Sequence, residues 1–293
     1  MADSDIDDSD EVTALKPTKL NVVITGASSG IGAALAKGMA AEGHKVTIAA
    51  RREGKLQATA RECNGRATVV PTDVTVRAQV EALRDKAIAA MGHIDVWVNN
   101  AGRGIGRKVA ELTEDELDDM IRINCKAALY GMQAVLPHFL QRKGGHIINV
   151  SSVLARVPVA SSRSAYSAAA AALAALTANL RMDMTAQCRD VRVSLVLPGH
   201  VGETGFFDAV LGSKLAPPGK LPVQTAEDIA DIIGGIIEQP RAEVYTSPVL
   251  RGLLRQYQAD LETFEVAMSP TPALQAPGLA GLAARIGVKL PES

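Results

Sequence analysis

The chain has 293 residues, 47% of them hydrophobic but only 3% aromatic, and a formal net charge of −1. That length suits one large α/β domain with an aliphatic core, and the near-zero charge argues against a nucleic-acid partner. Cys63, Cys125 and Cys188 are odd in number and widely spaced, with no CxxC, which argues against a disulfide framework and reads as reduced thiols in a soluble, cytoplasmic protein.

Residues 1–18 read as a disordered acidic tail. Asp3, Asp5, Asp7, Asp8, Asp10 and Glu11 come with no basic residue before position 12, the reverse of a secretory leader. From residue 19 to 268 short apolar runs alternate with longer helical patterns, the signature of a doubly wound parallel sheet of about seven strands. The strands predicted in chain order are Asn21–Thr25, Lys45–Ala49, Ala67–Pro71, Val96–Asn99, His146–Val150, Val191–Leu197 and Glu243–Thr246. The helices between them are Ile31–Ala41, Gly54–Glu62, Ala78–Ala90, Glu114–Phe139, Ala165–Gln187 and Ala226–Glu238. The run Ala165–Leu180 is mostly alanine, too weakly apolar to cross a bilayer but small enough for close helix approach between subunits. Gly199–Pro222 reads as a long irregular segment, a length associated with function or disorder, and Phe206, Phe207, Val210 and Leu211 within it suggest an apolar lid. Residues 269–293 form a Pro-, Gly- and Ala-rich extension.

The first strand runs into Thr25-Gly26-Ala27-Ser28-Ser29-Gly30-Ile31-Gly32 and then a helix, the order that binds a pyrophosphate. Gly26 permits the turn, Gly30 and Gly32 leave room for phosphate, and the helix starting near Ile31 aims free N–H groups at the anion. The second strand ends at Ala50, where an NAD-binding fold places an acid for the ribose 2′-hydroxyl, and Arg51 and Arg52 follow. A guanidinium pairs with a 2′-phosphate that an acid would repel, so NADP(H) is preferred to NAD(H), with Arg51 as the ligand and Arg52 read as a solvated charge.

With this loop stand Asn99-Asn100-Ala101-Gly102, Ile148-Asn149-Val150-Ser151-Ser152 and Tyr166, and together these motifs resemble the short-chain dehydrogenase/reductase superfamily over roughly residues 20–246. The resemblance implies carbonyl–alcohol interconversion on a small-molecule substrate, in a homodimer or homotetramer built on the two long helices, with no nucleic acid, membrane or metal involved. It assigns Asp73 and Val74 to the adenine, Asn100, Ala101 and Gly102 to the adenine ribose, and Pro198, Gly199 and Val201 to the segment over the nicotinamide. Tyr166 becomes the acid/base, Ser152 (with Ser151 as the alternative) the donor to the substrate oxygen, and Asn124 the organiser of the proton relay. The expected threonine after Val201 appears one place late, as Thr204, with Glu203 in its place. His200 and Tyr257 are further candidates for the pocket wall.

In that family a lysine one helical turn after the tyrosine lowers the phenol's pKa from its ordinary value near 10. Here the position holds Ala170. Lys126, two residues beyond Asn124, points elsewhere on a helix and does not replace it. A single inactivating substitution is favoured over natural drift, because Ser152 and Asn124 are both retained. The expected activity is that of a ketoreductase that turns over slowly or not at all. A non-catalytic NADP(H)-binding protein acting through partners is the alternative, and a non-redox elimination or isomerisation is disfavoured by the intact loop.

Overall fold

The computed structural model describes residues 19–202 and 223–269. The acidic tail, residues 203–222 with the lid candidates, Glu203 and Thr204, and the extension beyond Ser269 lie outside the described residues. In chain order the strands and helices are β1 (Asn21–Thr25), α1 (Gly30–Ala41), β2 (Lys45–Ala50), α2 (Glu53–Arg61), β3 (Ala67–Pro71), α3 (Arg77–Met91), β4 (Val96–Asn99), α4 (Glu114–Ile121), α5 (Ala127–Arg142) and β5 (Gly145–Val150). Then follow α6 (Ser164–Gln187), β6 (Val191–Leu197), β7 (His200–Val201), β8 (Val223–Gln224), α7 (Ala226–Glu238), β9 (Glu243–Tyr245), α8 (Pro248–Ala259) and α9 (Leu261–Met268).

Seven strands form one sheet in the order β3-β2-β1-β4-β5-β6-β9, every pair parallel. Parallel strands covered on both faces read as continuous apolar runs, and β1 is buried at all five positions. Alternation along the strands still sorts the two faces. Val22, Ile24, Val46 and Ile48 meet Leu35 and Met39 of α1 and Ile229, Ile233 and Ile236 of α7. Val23, Trp97 and Ile147 meet Leu83 of α3, Val135 and Phe139 of α5 and Leu173 of α6. The strand order reverses between β1 and β4, so the crevice at their carboxyl ends is where such a sheet takes a ligand.

Three departures from the sequence expectation have local causes. The predicted helix Glu114–Phe139 is interrupted by a π turn at Arg122–Lys126, which swings Asn124 inward and ties it to the chain at Arg103; the helix then runs on to Arg142. Within Gly199–Pro222, His200 and Val201 are not irregular but pair in parallel with Val223 and Gln224. Helices α8 and α9 were not expected, although Ser247 before Pro248 and Asp260 each cap a first turn through their side chains.

Candidate active site

The glycine loop and the Asn99–Gly102 turn interlock at the backbone level. The Thr25 hydroxyl donates to Val98 O (3.2 Å) and accepts from the amides of Asn100 (3.0 Å) and Ala101 (3.2 Å). Asn100 returns its Nδ2 to Thr25 O at 3.0 Å. A Cβ on Gly26, which sits at φ +70°, would lie 2.7 Å from Ala101 Cα. One on Gly32 would lie 2.5 Å from Asn100 Nδ2 and 2.6 Å from Gly26 O. Both glycines are therefore required by the packing of the loop against Ala101 and Asn100. Gly30 turns the chain at φ +54° into α1, whose first turn carries no acidic residue, so its N–H groups face the crevice without a competing carboxylate. Ile31 packs on the core below.

Arg52 is exposed, as read from sequence, and its Nη2 donates to the hydroxyls of Ser28 (3.0 Å) and Ser29 (2.9 Å). The exposed Arg51 acts instead on Asp73. Burial pushes the Asp73 carboxyl up, but hydrogen bonds from Thr75 and the charges of Arg51 and Arg122 outweigh it and hold the group below the ordinary carboxylate range. Val74, beside it, is buried. Arg103 and Arg122 share Asp119 as an ion-pair partner, and Arg103 feels the charges of both Arg51 and Arg122. Neither Arg103 nor Arg122 was singled out from sequence; their signal was position, directly after Gly102 and two residues before Asn124. Next to the outer side of the loop lies a cavity of about 570 Å³, bordered by Ser28, Ser29, Lys37, Lys55, Gln224 and Thr225.

Ser152 lies two residues beyond the end of β5 and caps the short turn Val153–Ala155 by accepting from Leu154 N at 3.2 Å. Its hydroxyl also hydrogen-bonds the side chain of Tyr166, the third residue of α6. Ser151 turns the other way and donates to Ala170 O at 3.2 Å, so Ser152 is the serine brought to the tyrosine. Burial pushes the Tyr166 phenol up to about 12, against the opposing pull of the Ser152 hydrogen bond and the Arg163 charge. Asn124 spends its side chain on a pincer: Oδ1 accepts from Arg103 N (3.0 Å), and Nδ2 donates to Arg103 O (2.9 Å) and Met120 O (3.1 Å). It therefore fixes the chain immediately after Gly102, a structural task the sequence did not reveal.

Ala170 is 2% exposed, packed among Ala155, Ala174, Leu195 and Leu197. Lys126 is exposed, as the helical spacing indicated. Pro198 O accepts from Val153 N at 2.9 Å and joins the segment after β6 to the serine turn. Gly199 lies against Leu250, where a Cβ would stand at 3.1 Å, and Val201 is buried in the core. His200 is half-buried, and burial followed by the Arg163 charge lowers its pKa. Tyr257 joins a separate apolar cluster with Val153, Val157 and Val159, its ring edge-on to Phe264 and its hydroxyl on Glu265. No helix among the described residues is long and apolar enough to cross a membrane.

The family model of the short chain dehydrogenases matches residues 20–211. The chain is 35% identical over 218 residues to an uncharacterized oxidoreductase of Staphylococcus epidermidis, covering 74% of this chain and 90% of that protein. Among solved structures it is similar to a short chain dehydrogenase/reductase from Burkholderia phymatum in complex with NAD, at 28% identity and a TM-score of 0.76, covering 88% of this chain and 98% of that one. It is also similar to an alcohol dehydrogenase from the archaeon Thermococcus sibiricus complexed with 5-hydroxy-NADP, at 27% identity and a TM-score of 0.67, over 76% and 94% of the two chains.

Proposed function

Because the chain belongs to the short-chain dehydrogenase family, we propose that residues 19–268 form an NADP(H)-dependent oxidoreductase that interconverts a carbonyl and an alcohol, slowed by Ala170. The observation that carries this reading is the Ser152–Tyr166 hydrogen bond, at the carboxyl end of the same parallel sheet whose glycine loop interlocks with Asn100. The fit to a dinucleotide is supported by this chain's own residues: a glycine turn leading into a helix start with no side-chain cap and no acid, and arginines rather than an acid after Ala50. A bound nicotinamide would supply or take up the hydride at the substrate carbon. Ser152 holds the substrate oxygen by a hydrogen bond, and the Tyr166 hydroxyl gives its proton to that oxygen in reduction or receives it in oxidation. Arg51 and Arg52, rather than an acid, follow the end of β2, which supports NADP(H) over NAD(H). The structures bound to NAD and to 5-hydroxy-NADP are compatible with either cofactor. A homodimer or homotetramer through α5 and α6 is supported by the outward apolar side chains of Leu140 and Met182.

A phenol near pKa 12 is a reluctant acid and, at neutral pH, almost never a base. This supports the reading of slow turnover. The direct test is NADPH consumption over a ketone panel, comparing the chain as it stands with A170K. The lysine variant is expected to gain at least about a hundredfold, the lower range for positioned acid–base catalysis. The apolar wall of Ala155, Leu195 and Leu197 around position 170 makes a thermal melt of the variant part of the same experiment. A folded A170K that binds NADPH and reduces nothing would move the protein to the second reading, a cofactor-binding protein that acts through partners. The sealed packing of Ala170 is the observation that favours that alternative.

A further inference from the structure

Ser152 is only as well placed as the turn it caps, and we propose that this turn is held from the edge of the sheet by a clasp of Arg156, Glu243 and Tyr245, with Arg156 a positioning residue that acts through Ser152. The proposal rests on the reading of Ser152 given above. From Ser152 to Val157 the chain is one hydrogen-bonded unit. Leu154 N and Ala155 N donate to Ser152 Oγ (3.2 Å) and O (3.0 Å), and Arg156 N and Val157 N donate to Val153 O (2.9 and 3.0 Å). A unit this short moves as a body, so whatever grips its last residues also fixes the direction of its first side chain. Arg156 grips Glu243 with two nitrogens of its guanidinium, Nε to Oε1 (3.4 Å) and Nη2 to Oε2 (2.8 Å). A paired contact of this kind sets a plane as well as a distance, which a lysine cannot do. The Tyr245 hydroxyl donates to Glu243 Oε1 at 2.7 Å and steadies the carboxylate.

Glu243 and Tyr245 belong to β9, which is anchored independently of the serine turn. Glu243, Val244 and Tyr245 pair with Leu195, Val196 and Leu197 of β6, and Arg181 of α6 donates to Ala242 O at 2.6 Å. The Tyr245 ring packs on both apolar clusters that border the turn, one holding Val153 and Val157, the other Ala155 and Ala170. Arg251 of α8 stands over the same ring, 5.9 Å from its centre. Burial pushes the Glu243 carboxyl up, but its bonds to Arg156 and Tyr245 and the charges of Arg156 and Arg181 outweigh this and hold it below the ordinary range. Burial, and then the bond to Glu243, keep the Tyr245 phenol protonated. The clasp is therefore fully formed at neutral pH, with the carboxylate charged and the phenol as its donor. The serine that faces Tyr166 is thus oriented by a strand that stands two places away from its own, beyond β6.

The test reads Ser152 through its hydrogen bond to Tyr166. The four tyrosines are labelled with carbon-13 at Cζ and followed by NMR at neutral pH. Loss in Y166F identifies the Tyr166 signal, and S152A gives its position when the serine hydroxyl is absent. R156Q and E243Q are expected to move the signal toward the S152A position. R156K and Y245F each keep part of the clasp and are expected to move it less, in the same direction. A thermal melt accompanies every variant, and Y245F is read in place of R156Q if the latter fails to melt cooperatively. A Tyr166 signal that stays at the parent position in folded variants, with only the melting temperature lowered, makes the clasp a plain brace and overturns the proposal. This measurement needs no turnover, so it decides the clasp even if A170K is silent on every ketone and the reductase reading itself falls. Where A170K is active, adding R156Q is expected to lower kcat about tenfold to a hundredfold, the scale of a misplaced group, with KM within about threefold of its parent. R156K is expected to recover part of that loss. An unchanged kcat in folded R156Q, or a loss confined to KM, overturns the proposal.

Discussion

At the glycine loop the fit is backbone against backbone: Gly26 and Gly32 have no room for a single carbon, and Thr25 and Asn100 hold the two turns together with hydrogen bonds in both directions. At Tyr166 the backbone is an ordinary helix start and everything specific lies in side chains, namely Ser152 and the methyl of Ala170. The difference separates two kinds of vulnerability. The glycine loop cannot take a side chain without losing shape, whereas the turn after Tyr166 is well packed around a methyl, as the 2% exposure of Ala170 shows.

The sharpest way to break this comparison is Y166F in the A170K background. It is expected to lower turnover by about 10²–10⁴-fold, the span of positioned acid–base catalysis, while leaving the NADPH dissociation constant within about twofold of its parent. If cofactor binding collapses as well, the two ends are not separable. The opposite result is expected of G32A. Forcing a methyl into contact with Asn100 and the Gly26 carbonyl should cost about 1–3 kcal/mol in a denaturant melt and weaken NADPH binding more than tenfold. A G32A protein as stable and as avid as its parent would show that the interlock yields.

His146 supplies a reference point remote from both ends, at the amino-terminal side of β5. The Ser194 hydroxyl donates to Arg241 O, so it accepts from His146 Nε2–H at 2.8 Å and leaves Nδ1 buried without a partner. Burial, then the charge of Arg192, lowers the pKa of this histidine to about 3. The unfolded chain takes up a proton below about pH 6.5 that the folded one refuses. Stability present above that pH is therefore lost as the pH falls toward 3, to a total on the order of 5 kcal/mol. Urea midpoints at pH 7 and pH 4.5 should differ clearly in the parent and much less in H146L; equal shifts would assign the acid sensitivity elsewhere. The smallest expected effect concerns cofactor choice. R51Q and R52Q should each reduce the preference for NADP(H) over NAD(H) by about tenfold, measured by binding titration. A change in R52Q alone would assign the 2′-phosphate to the guanidinium already seated on Ser28 and Ser29.

The sheet was legible because parallel strands are buried on both faces and carry their own apolar signature: β1, β3, β4 and β6 have the limits predicted from sequence. The π turn at Arg122–Lys126 was not, since Arg-Ile-Asn-Cys-Lys has no feature that distinguishes it from ordinary helix until Asn124 meets Arg103. The glycine loop, Asn100, Ser152 and Tyr166 were legible as motifs. The turn of Arg52 onto two serines was hidden, because one residue's phase at a strand end decides which way a guanidinium points. Arg163 was hidden for a related reason. An arginine in a run of serine and alanine reads as surface, and only the bridge to Arg107 and the bond to Ile105 put it inside. The cap at Ser247 and Pro248 was readable and was passed over.

The order of the strands also fixes a schedule. The neighbours β3, β2, β1 and β4 all precede residue 100, so this part of the sheet can assemble before the segment bearing Ser152 or Tyr166 has been synthesised. The edge strand β9 must wait for some 45 further residues after β6 before it can dock beside it, a distant pairing of the sort that slows folding. On the ribosome, then, the half of the sheet that carries the glycine loop exists before the segment that brings Ser152 to Tyr166.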